Sequence, residues 1–162
     1  MMNNKYIRAL LVDYGMVFVL IALCILISVL TISDMHPNNP VAAEKLAASL
    51  VKEAGSEINV LVVARTNDAD KDFAEALKQG LESGGAKVVG VELGDPSSVR
   101  ARLDLLGQQD ERLDFIATHD FSSKWRVLST ESRAEMASLY PALAKVKIAK
   151  PPSYRWPTFL TA

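Results

Sequence analysis

The chain lacks residues on which several classes of protein depend. Its 162 residues include one cysteine, Cys24, so no intrachain disulfide can form, and packing is the simplest role for a thiol within an apolar run. The two histidines, His36 and His119, have no Cys or His neighbours at metal-ligand spacing. From Asp34 onward, 16 basic and 18 acidic residues give a charge of −2. This balance argues against a nucleic-acid partner and against a polybasic lipid-binding patch.

Sequence motifs of common enzymes are also missing. There is no P-loop, and no dinucleotide-binding Gly-x-Gly-x-x-Gly follows the first apolar strand. His119 and Asp120 precede Ser122 and Ser123, but no nucleophile elbow is present, and a solvated loop histidine is the simpler interpretation. A phospho-receiver domain needs an Asp at the end of its third strand, whereas Asp120 lies beyond that point. We therefore expect no catalytic residue, no cofactor and no metal site.

What the sequence does have is one long apolar run near its beginning. Residues 14–32 are 19 consecutive residues without a charge, enough for a helix as long as a bilayer's hydrocarbon core is thick. A cleaved signal peptide has a shorter apolar region and a clearer small-x-small site. Lys5 and Arg8 precede the run and no Lys or Arg follows it until Lys45, which predicts a cytoplasmic N-terminus. We predict a cytoplasmic segment over 1–13 and a transmembrane helix over 14–33, in a bacterial inner membrane.

Residues 34–150 alternate between helix and strand signals. Asn39 and Pro40 are a helix cap and a first helical residue, and Gly55 ends that helix. Strands are predicted at 58–64, 86–93, 113–118 and 146–149, with helices between them. The first strand is apolar on both faces, which is typical of a parallel sheet covered on both sides. The pattern predicts an extracytoplasmic, Rossmann-like α/β lobe with a four-stranded parallel sheet.

The helix after the first strand has the clearest apolar stripe. Phe73, Leu77 and Leu81 recur at helical spacing, and Asp70 is the expected cap. A further helix begins at Asp95, and another near Thr130 or Ser132. In an open α/β sheet, ligands bind beyond the carboxyl ends of the strands. This rule predicts a set of ligand-binding residues in the loops there: Thr66, Asn67, Asp68, Asp70, Phe73, His119 and Asp120.

Two interpretations of these loops stay open. Their polar groups can hydrogen-bond a hydroxylated ligand, with Phe73 or Phe121 stacked on a sugar face. Alternatively, Asp70 and Asp95 only cap helices and the remaining residues are solvated loop.

The last segment, 151–162, is rich in proline and aromatic residues and can be neither helix nor central strand. Tyr154 and Trp156 beside Arg155 suit a membrane interface, so we predict that the chain returns to the bilayer there. A disordered tail with scattered aromatic residues is the alternative.

Two resemblances to known families combine with these features. The segment NVLVVARTNDADKDFAEALKQGLESGGAKVVGVEL is similar to the opening of sugar-type periplasmic binding proteins, with Phe73, Leu77 and Gly80 at the family's spacing. The loop lacks the family's usual aromatic pair. The two ends, ALLVDYGMVFVLIALCILISVLTIS and YRWPTFLTA, resemble the start of ribose-type ABC transporter permeases. There Pro157, Thr158, Phe159, Leu160 and Thr161 match a segment that precedes the next membrane helix.

Together these resemblances imply the N-terminal part of a monosaccharide ABC permease, with a first periplasmic loop enlarged by a binding-protein-like lobe for docking or sensing. The implied partners are an ABC ATPase subunit, a periplasmic sugar-binding protein, the bilayer and a small sugar. Only one lobe is visible, however, so tight capture of sugar in the family's manner is not expected. The alternative is a stand-alone, membrane-anchored module that binds a ligand or a partner protein. An anchored hydrolase is the least favoured hypothesis.

Overall fold

The structure, a computed structural model, describes residues 4–30, 32–35 and 37–157, and the side chains of 14–27 and 37–153 within them. The chain divides into two compact units. One unit combines Met1–Met35 with Tyr154–Ala162, and the other is His36–Ser153. We refer to the second unit as the lobe.

The described residues form helices and strands in alternation. The helices are Asn4–Leu30 (α1), Pro40–Ala54 (α2), Asp68–Ser83 (α3), Pro96–Gln108 (α4), Asp120–Ser123 (α5) and Thr130–Leu139 (α6), with short 3-10 helices at Arg126–Leu128 and Pro141–Leu143. The strands are Ile32–Met35 (β1), Asn59–Ala64 (β2), Lys87–Leu93 (β3), Phe115–Thr118 (β4), Lys147–Ala149 (β5) and Tyr154–Pro157 (β6).

In the first unit, α1 includes most of the apolar run. From Tyr14 to Ile27 the large apolar side chains are exposed. Within the part of the chain that the structure describes, no helix meets both the length and the hydropathy needed to cross a membrane. The transmembrane helix over 14–33 is therefore not confirmed and stays a prediction.

The same unit contains a strand pair that the sequence did not predict. β1 and β6 pair antiparallel, with Ile32 opposite Pro157 and Met35 opposite Tyr154. The pairing joins the residues that precede the lobe to those that follow it. Tyr154 and Trp156 lie in β6, and their side chains are outside the described part, so their membrane-interface role stays a prediction. Residues 158–162, which carry most of the permease-like segment, also lie outside the described residues.

The lobe has the predicted α/β fold. Its four strands are all parallel and lie in the order β3-β2-β4-β5. Counted along the chain, this is the 2-1-3-4 order of doubly wound sheets. The order reverses direction between β2 and β4, which are neighbours: Val60 lies opposite Phe115, and Val63 opposite Thr118.

The two faces of the sheet are covered by different helices because side chains alternate along β2. Val60, Val62 and Ala64 face α2 and α3, whereas Leu61 and Val63 face α4 and the segment that contains α6. All five of these side chains are fully buried. The expectation of a parallel sheet covered on both sides is confirmed.

Most helix ends have the caps that the sequence predicts. Asn39 accepts a hydrogen bond from the Ala42 N–H at 2.9 Å with Pro40 in the first helical position, and Asp95 accepts from Ser97 and Ser98 in the same way. At the start of α3, however, the cap is Asn67 and not Asp70. Asp70 lies one turn further along, which frees its carboxylate for the contacts described below.

The apolar stripe of α3 packs as its spacing predicts, with Phe73, Leu77 and Leu81 fully buried. On the same stripe, Gly80 lets α3 approach α2 closely, since a Cβ at Gly80 would lie 2.8 Å from the Cβ of Ala47. The lobe thus holds α3 firmly against the sheet, and with it the loop that follows β2.

Candidate functional site

The candidate site lies where the strand order reverses, at the carboxyl ends of β2 and β4. Because these strands are adjacent, the loop after Ala64 and the loop after Thr118 meet at one edge of the sheet. In doubly wound sheets this crevice is the usual place for a ligand. We call this the carboxyl edge.

The centre of the carboxyl edge is the buried carboxylate of Asp70 in α3. Arg65 donates from Nε to Oδ2 at 2.5 Å and from Nη2 to Oδ1 at 3.5 Å. Asn67 Nδ2 donates to Oδ2 at 2.9 Å, and Asn38 Nδ2 donates to Oδ1 at 3.1 Å. His119 Nε2 lies 2.9 Å from Oδ2. The carboxylate, which has no exposed surface, thus receives its hydrogen bonds from four side chains.

These contacts decide the charge of Asp70. Burial by itself raises the pKa of a carboxyl group, but the hydrogen bonds from Arg65, Asn38 and Asn67, together with the charge interaction with His119, outweigh it and lower the pKa of Asp70 to about 2. Asp70 is therefore ionised at any physiological pH, and the lobe itself supplies the donors that a buried carboxylate needs.

His119 is buried and orients the start of α5. Its Nδ1 accepts a hydrogen bond from the Phe121 backbone N–H at 3.2 Å, which makes His119 the cap of that helix. Because Nδ1 accepts, the ring proton belongs on Nε2, where it is donated to Asp70. Burial lowers the pKa of His119 below its ordinary value of 6.5, although Asp70 opposes the shift. The imidazole is therefore neutral at pH 7.

This geometry leaves His119 unable to activate a serine. Ser122 Oγ lies 3.2 Å from Nε2, the same nitrogen that faces Asp70. In a catalytic triad the serine and the carboxylate contact different ring nitrogens. Ser122 also has no exposed surface that a substrate could reach. The arrangement of Asp70, His119 and Ser122 is thus a buried polar network and not a nucleophile system.

The exposed part of the edge is built from Phe121 and Arg65. Phe121 is 54% exposed, and the Arg65 guanidinium lies 4.2 Å from the centre of its ring. The ring of His119 lies 6.5 Å from that of Phe121 between ring centres, with 29° between the two ring planes. An exposed aromatic ring is held in place by a cation that is itself held by Asp70.

Asp120 forms a second ionic group beside this surface. Lys124 Nζ lies 2.6 Å from its Oδ2, and Lys150 Nζ lies 3.0 Å from its Oδ1. Lys150 follows β5, so this pair ties a third strand end to the loop after β4. Asp120 is nearly buried and both lysines are more exposed.

The predicted site residues fall into two groups. Thr66, Asn67 and Asp68 are exposed on the rim of the carboxyl edge, while Asp70, His119 and Asp120 are buried in its base. The structure corrects the interpretation of His119 as a solvated loop residue, because its ring packs between Phe73 and Phe121.

Phe73 also differs from expectation. One of the two open interpretations let Phe73 or Phe121 stack on a sugar face, but Phe73 is fully buried and contacts His119 edge-on, with 6.1 Å between ring centres. Phe121 is the exposed aromatic residue of this edge. Asn38, Ser122 and Lys150 were not among the predicted site residues. No sequence motif marks Asn38 or Lys150, which the fold alone brings to this edge, whereas Ser122 is only three residues from His119.

Metal binding has no support in the described part of the lobe. Among the described residues, no group of three or more His, Cys, Asp or Glu side chains is placed to hold a metal ion. The two buried acidic residues of the site, Asp70 and Asp120, are already occupied by cationic or amide donors.

Comparisons with known proteins give similarity in structure only. No protein-family model matches the chain, and no curated protein matches it in sequence. Similar solved structures include an ABC transporter substrate-binding protein from Desulfitobacterium hafniense in complex with Leu, with a TM-score of 0.44 and 14% identity over 70% of this chain and 31% of that one.

Two further structures are similar to the same extent. One is described as an XylFII molecule, with a TM-score of 0.48 and 17% identity over 68% of this chain and 40% of that one. The other is a Caulobacter myo-inositol binding protein bound to myo-inositol, with a TM-score of 0.46 and 19% identity over 68% of this chain and 38% of that one. The chain thus spans less than half the length of these proteins. Similarities this weak assign neither a family nor a ligand.

Proposed function

We propose that the lobe is a binding module that recognises a small hydroxylated ligand, such as a monosaccharide, at its carboxyl edge. The observation that carries the proposal is the exposed ring of Phe121, fixed by Arg65 at the point where the strand order reverses. An aromatic face packs well against the apolar face of a sugar ring, and adjacent polar groups hold its hydroxyls.

The charges of the edge support recognition of a neutral ligand. Asp70 and Arg65 neutralise one another, and the Asp70 carboxylate is occupied by the lobe's own donors. The groups left for a ligand are the exposed part of the Phe121 ring, the outer N–H groups of Arg65, and the exposed side chains of Thr66 and Asn67. These groups can hydrogen-bond hydroxyls, and a ligand need not carry a charge to meet them.

Binding without catalysis is favoured by the state of His119. Both of its ring nitrogens are engaged, one by the Phe121 N–H and the other by Asp70. A general base needs a free nitrogen near the reacting group. The hypothesis of an anchored hydrolase therefore loses His119 as its candidate base.

A single lobe covers a ligand from one side only. Small-molecule sites with high affinity bury most of the ligand surface, which an open edge does not do. We therefore expect weak, millimolar affinity for a free sugar, unless a partner protein supplies a second wall.

The cellular setting of the module is part of the proposal. Lys5 and Arg8 before the apolar run favour a lobe outside the cytoplasm, tethered to the inner membrane. A phosphatase fused after residue 150 should then be active. Inactivity of that fusion would contradict the proposed orientation.

The permease hypothesis remains as a second candidate because of one observation. β1 and β6 pair, so the segments on either side of the lobe meet as they would if the lobe were a loop between two membrane segments. Crosslinking of cysteines introduced at Ser33 and Trp156, which face one another in that pair, tests the arrangement. Absence of a crosslink under oxidising conditions would count against it.

The binding function is tested by calorimetry on the full chain in detergent micelles. D-ribose, D-xylose, D-glucose, D-galactose and myo-inositol are titrated separately into the wild-type chain, Phe121→Ala and Leu139→Ala. Leu139 is a matched control, because it is 58% exposed, like Phe121, but lies at the end of α6.

At least one sugar should bind the wild-type chain and Leu139→Ala equally, and bind Phe121→Ala about tenfold more weakly, as expected for loss of an aromatic stacking face. Equal binding to all three proteins would contradict the assignment of the site. Because the expected affinity is millimolar, the titrations run to about 100 mM sugar. No binding there would contradict the ligand class.

A further inference from the structure

The opposite edge of the sheet, at the amino ends of β4 and β5, contains a cavity with a different character. Its volume is about 360 Å³, within the range of small-molecule sites. Its walls are residues 112–114, which precede β4, and Pro141, Ala142, Ala144 and Lys145, which precede β5. We call this the amino-edge cavity.

The carboxylate in the cavity wall is already satisfied. Arg112 Nε and Nη2 lie 2.9 and 2.8 Å from Asp114 Oδ1. Oδ2 of the same residue accepts from the Asn59 backbone N–H at 3.0 Å, which anchors it to β2. Asn59 Nδ2 also donates to the Arg112 carbonyl at 2.6 Å, so the backbone that carries the guanidinium is fixed. Asp114 therefore positions Arg112 and does not offer a free anion to a cation.

Positive charge remains in the wall after this pairing. Lys145 lines the cavity and is exposed, and it makes no ion pair or hydrogen bond within the described part of the chain. Two cationic side chains and one neutralised carboxylate leave a net charge of about +1 at the cavity. A cavity with this charge attracts anions.

The cavity wall also contains a backbone hydrogen-bond donor that is unpaired within the described part of the chain. Leu113 lines the cavity and is only 2% exposed, yet its backbone N–H finds no acceptor among the described residues. Buried backbone N–H groups are almost always paired, with protein, water or ligand. An acceptor from outside the chain would complete the hydrogen bonding of this segment.

We propose that the amino-edge cavity binds a small oxyanion, a phosphate or a carboxylate, between Arg112 and Lys145. Arg112 supplies the N–H groups that do not face Asp114, and Lys145 supplies an ammonium without a competing partner. The site is separate from the carboxyl edge, and it does not depend on the binding function proposed there.

The test uses the isotope-labelled full chain in detergent micelles, titrated with sodium phosphate and, separately, sodium acetate at constant ionic strength. The amide resonances of Leu113 and Lys145 are followed by NMR. Both should shift and saturate together for at least one of the anions, and the anion that binds more tightly identifies the class.

Lys145→Gln should weaken the binding about tenfold or more, the usual effect of losing a charge-assisted hydrogen bond. Lys52→Gln is the matched control, because it removes the same charge from an exposed position on α2, which covers the other face of the sheet. Lys52→Gln and Phe121→Ala should both bind as tightly as the wild-type chain. Shifts that do not saturate with either anion, or equal weakening in both lysine variants, would overturn the proposal.

Discussion

The two edges of the sheet each contain an Asp–Arg pair, and the pairs differ in burial. At the carboxyl edge, Asp70 has no exposed side-chain surface and Arg65 is 35% exposed. At the amino edge, Asp114 is 21% exposed and Arg112 is 71% exposed. The contacts are similar in length, but water reaches the second pair more easily. The energy of an ion pair depends on its surroundings more than on its distance.

Because the two Asp–Arg pairs differ in burial, we assign them different roles. Asp70 is surrounded by donors from four side chains and forms a rigid base beneath Phe121. Asp114 fixes a guanidinium in the wall of an open cavity. We therefore expect perturbations of the first pair to act on stability, and perturbations of the second to act mainly on binding.

The largest effect is expected from Asp70→Asn. The substitution removes the charge that Arg65 and His119 face, and it leaves buried donors without an anion, which should lower the free energy of unfolding by about 3 kcal/mol. Asp114→Asn should cost clearly less, because water can replace the lost contacts. Urea denaturation of the two variants measures the contrast, with Asp68→Asn as a neighbouring control whose side chain is 97% exposed. Equal losses for Asp70→Asn and Asp114→Asn would show that burial does not determine how much each ion pair contributes to stability.

Acid should destabilise the carboxyl edge in two stages. The folded pKa of His119 is below its ordinary value of 6.5, so its contribution to stability declines as the pH falls below about 6.5. The folded pKa of Asp70 is about 2 against an ordinary value of 3.8, so its contribution is complete above pH 4 and is lost as the pH falls towards 2. The second stage amounts to about 2 kcal/mol, from 1.4 kcal/mol per pKa unit.

Urea midpoints measured from pH 7 to pH 2.5 follow both stages. In Asp70→Asn the decline below pH 4 should be smaller than in the wild-type chain, while the decline that begins near pH 6.5 remains. An identical decline below pH 4 in both proteins would show that other carboxylates dominate acid unfolding.

A larger side chain at Gly107 should destabilise the lobe near the amino edge. A Cβ at Gly107 would overlap the ring of Tyr140, the residue just before the cavity-lining segment. Gly107→Ala should therefore cost about 1–3 kcal/mol, as overpacking usually does, and should weaken oxyanion binding by displacing that segment. Thermal denaturation and the phosphate titration measure the two effects. The double variant Gly107→Ala/Tyr140→Ala should recover part of the stability, and strict additivity would contradict a direct clash.

The smallest effect on stability is expected at the exposed surface of the carboxyl edge. Phe121→Ala removes a solvent-exposed cation–π contact with Arg65, worth about 0.5–1 kcal/mol. A loss of more than about 2 kcal/mol in urea denaturation would mean that Phe121 is a structural residue. The ring would then be a poor candidate for ligand recognition.

The fold was predictable because its signals are local. Asn39 with Pro40, and Asp95 with Pro96, mark two helix starts, and the spacing of Phe73, Leu77 and Leu81 defines the buried face of α3. Each of these signals depends on residues within a few positions of one another. The alternation of such segments was enough to predict a parallel sheet covered on both faces.

The site was only partly predictable because its contacts are not local. Asn38 reaches Asp70 from 32 positions away, and Lys150 reaches Asp120 from 30. The strand-end rule named loops that do lie at one edge of the sheet, but it could not distinguish buried from exposed members, as Phe73 and Phe121 show. The four-residue helix α5 is too short to have an apolar period, so the role of His119 as its cap was not visible in the sequence.

The central claim is that the carboxyl edge of the lobe binds a small hydroxylated ligand. The most direct measurement is an amide chemical-shift map of the isotope-labelled full chain during titration with the sugar that gives heat in calorimetry. Saturable shifts should be concentrated at Arg65, Thr66, Asn67 and Phe121, with little change at Leu113 and Lys145 on the opposite edge. Shifts that avoid the loops after β2 and β4 would contradict it.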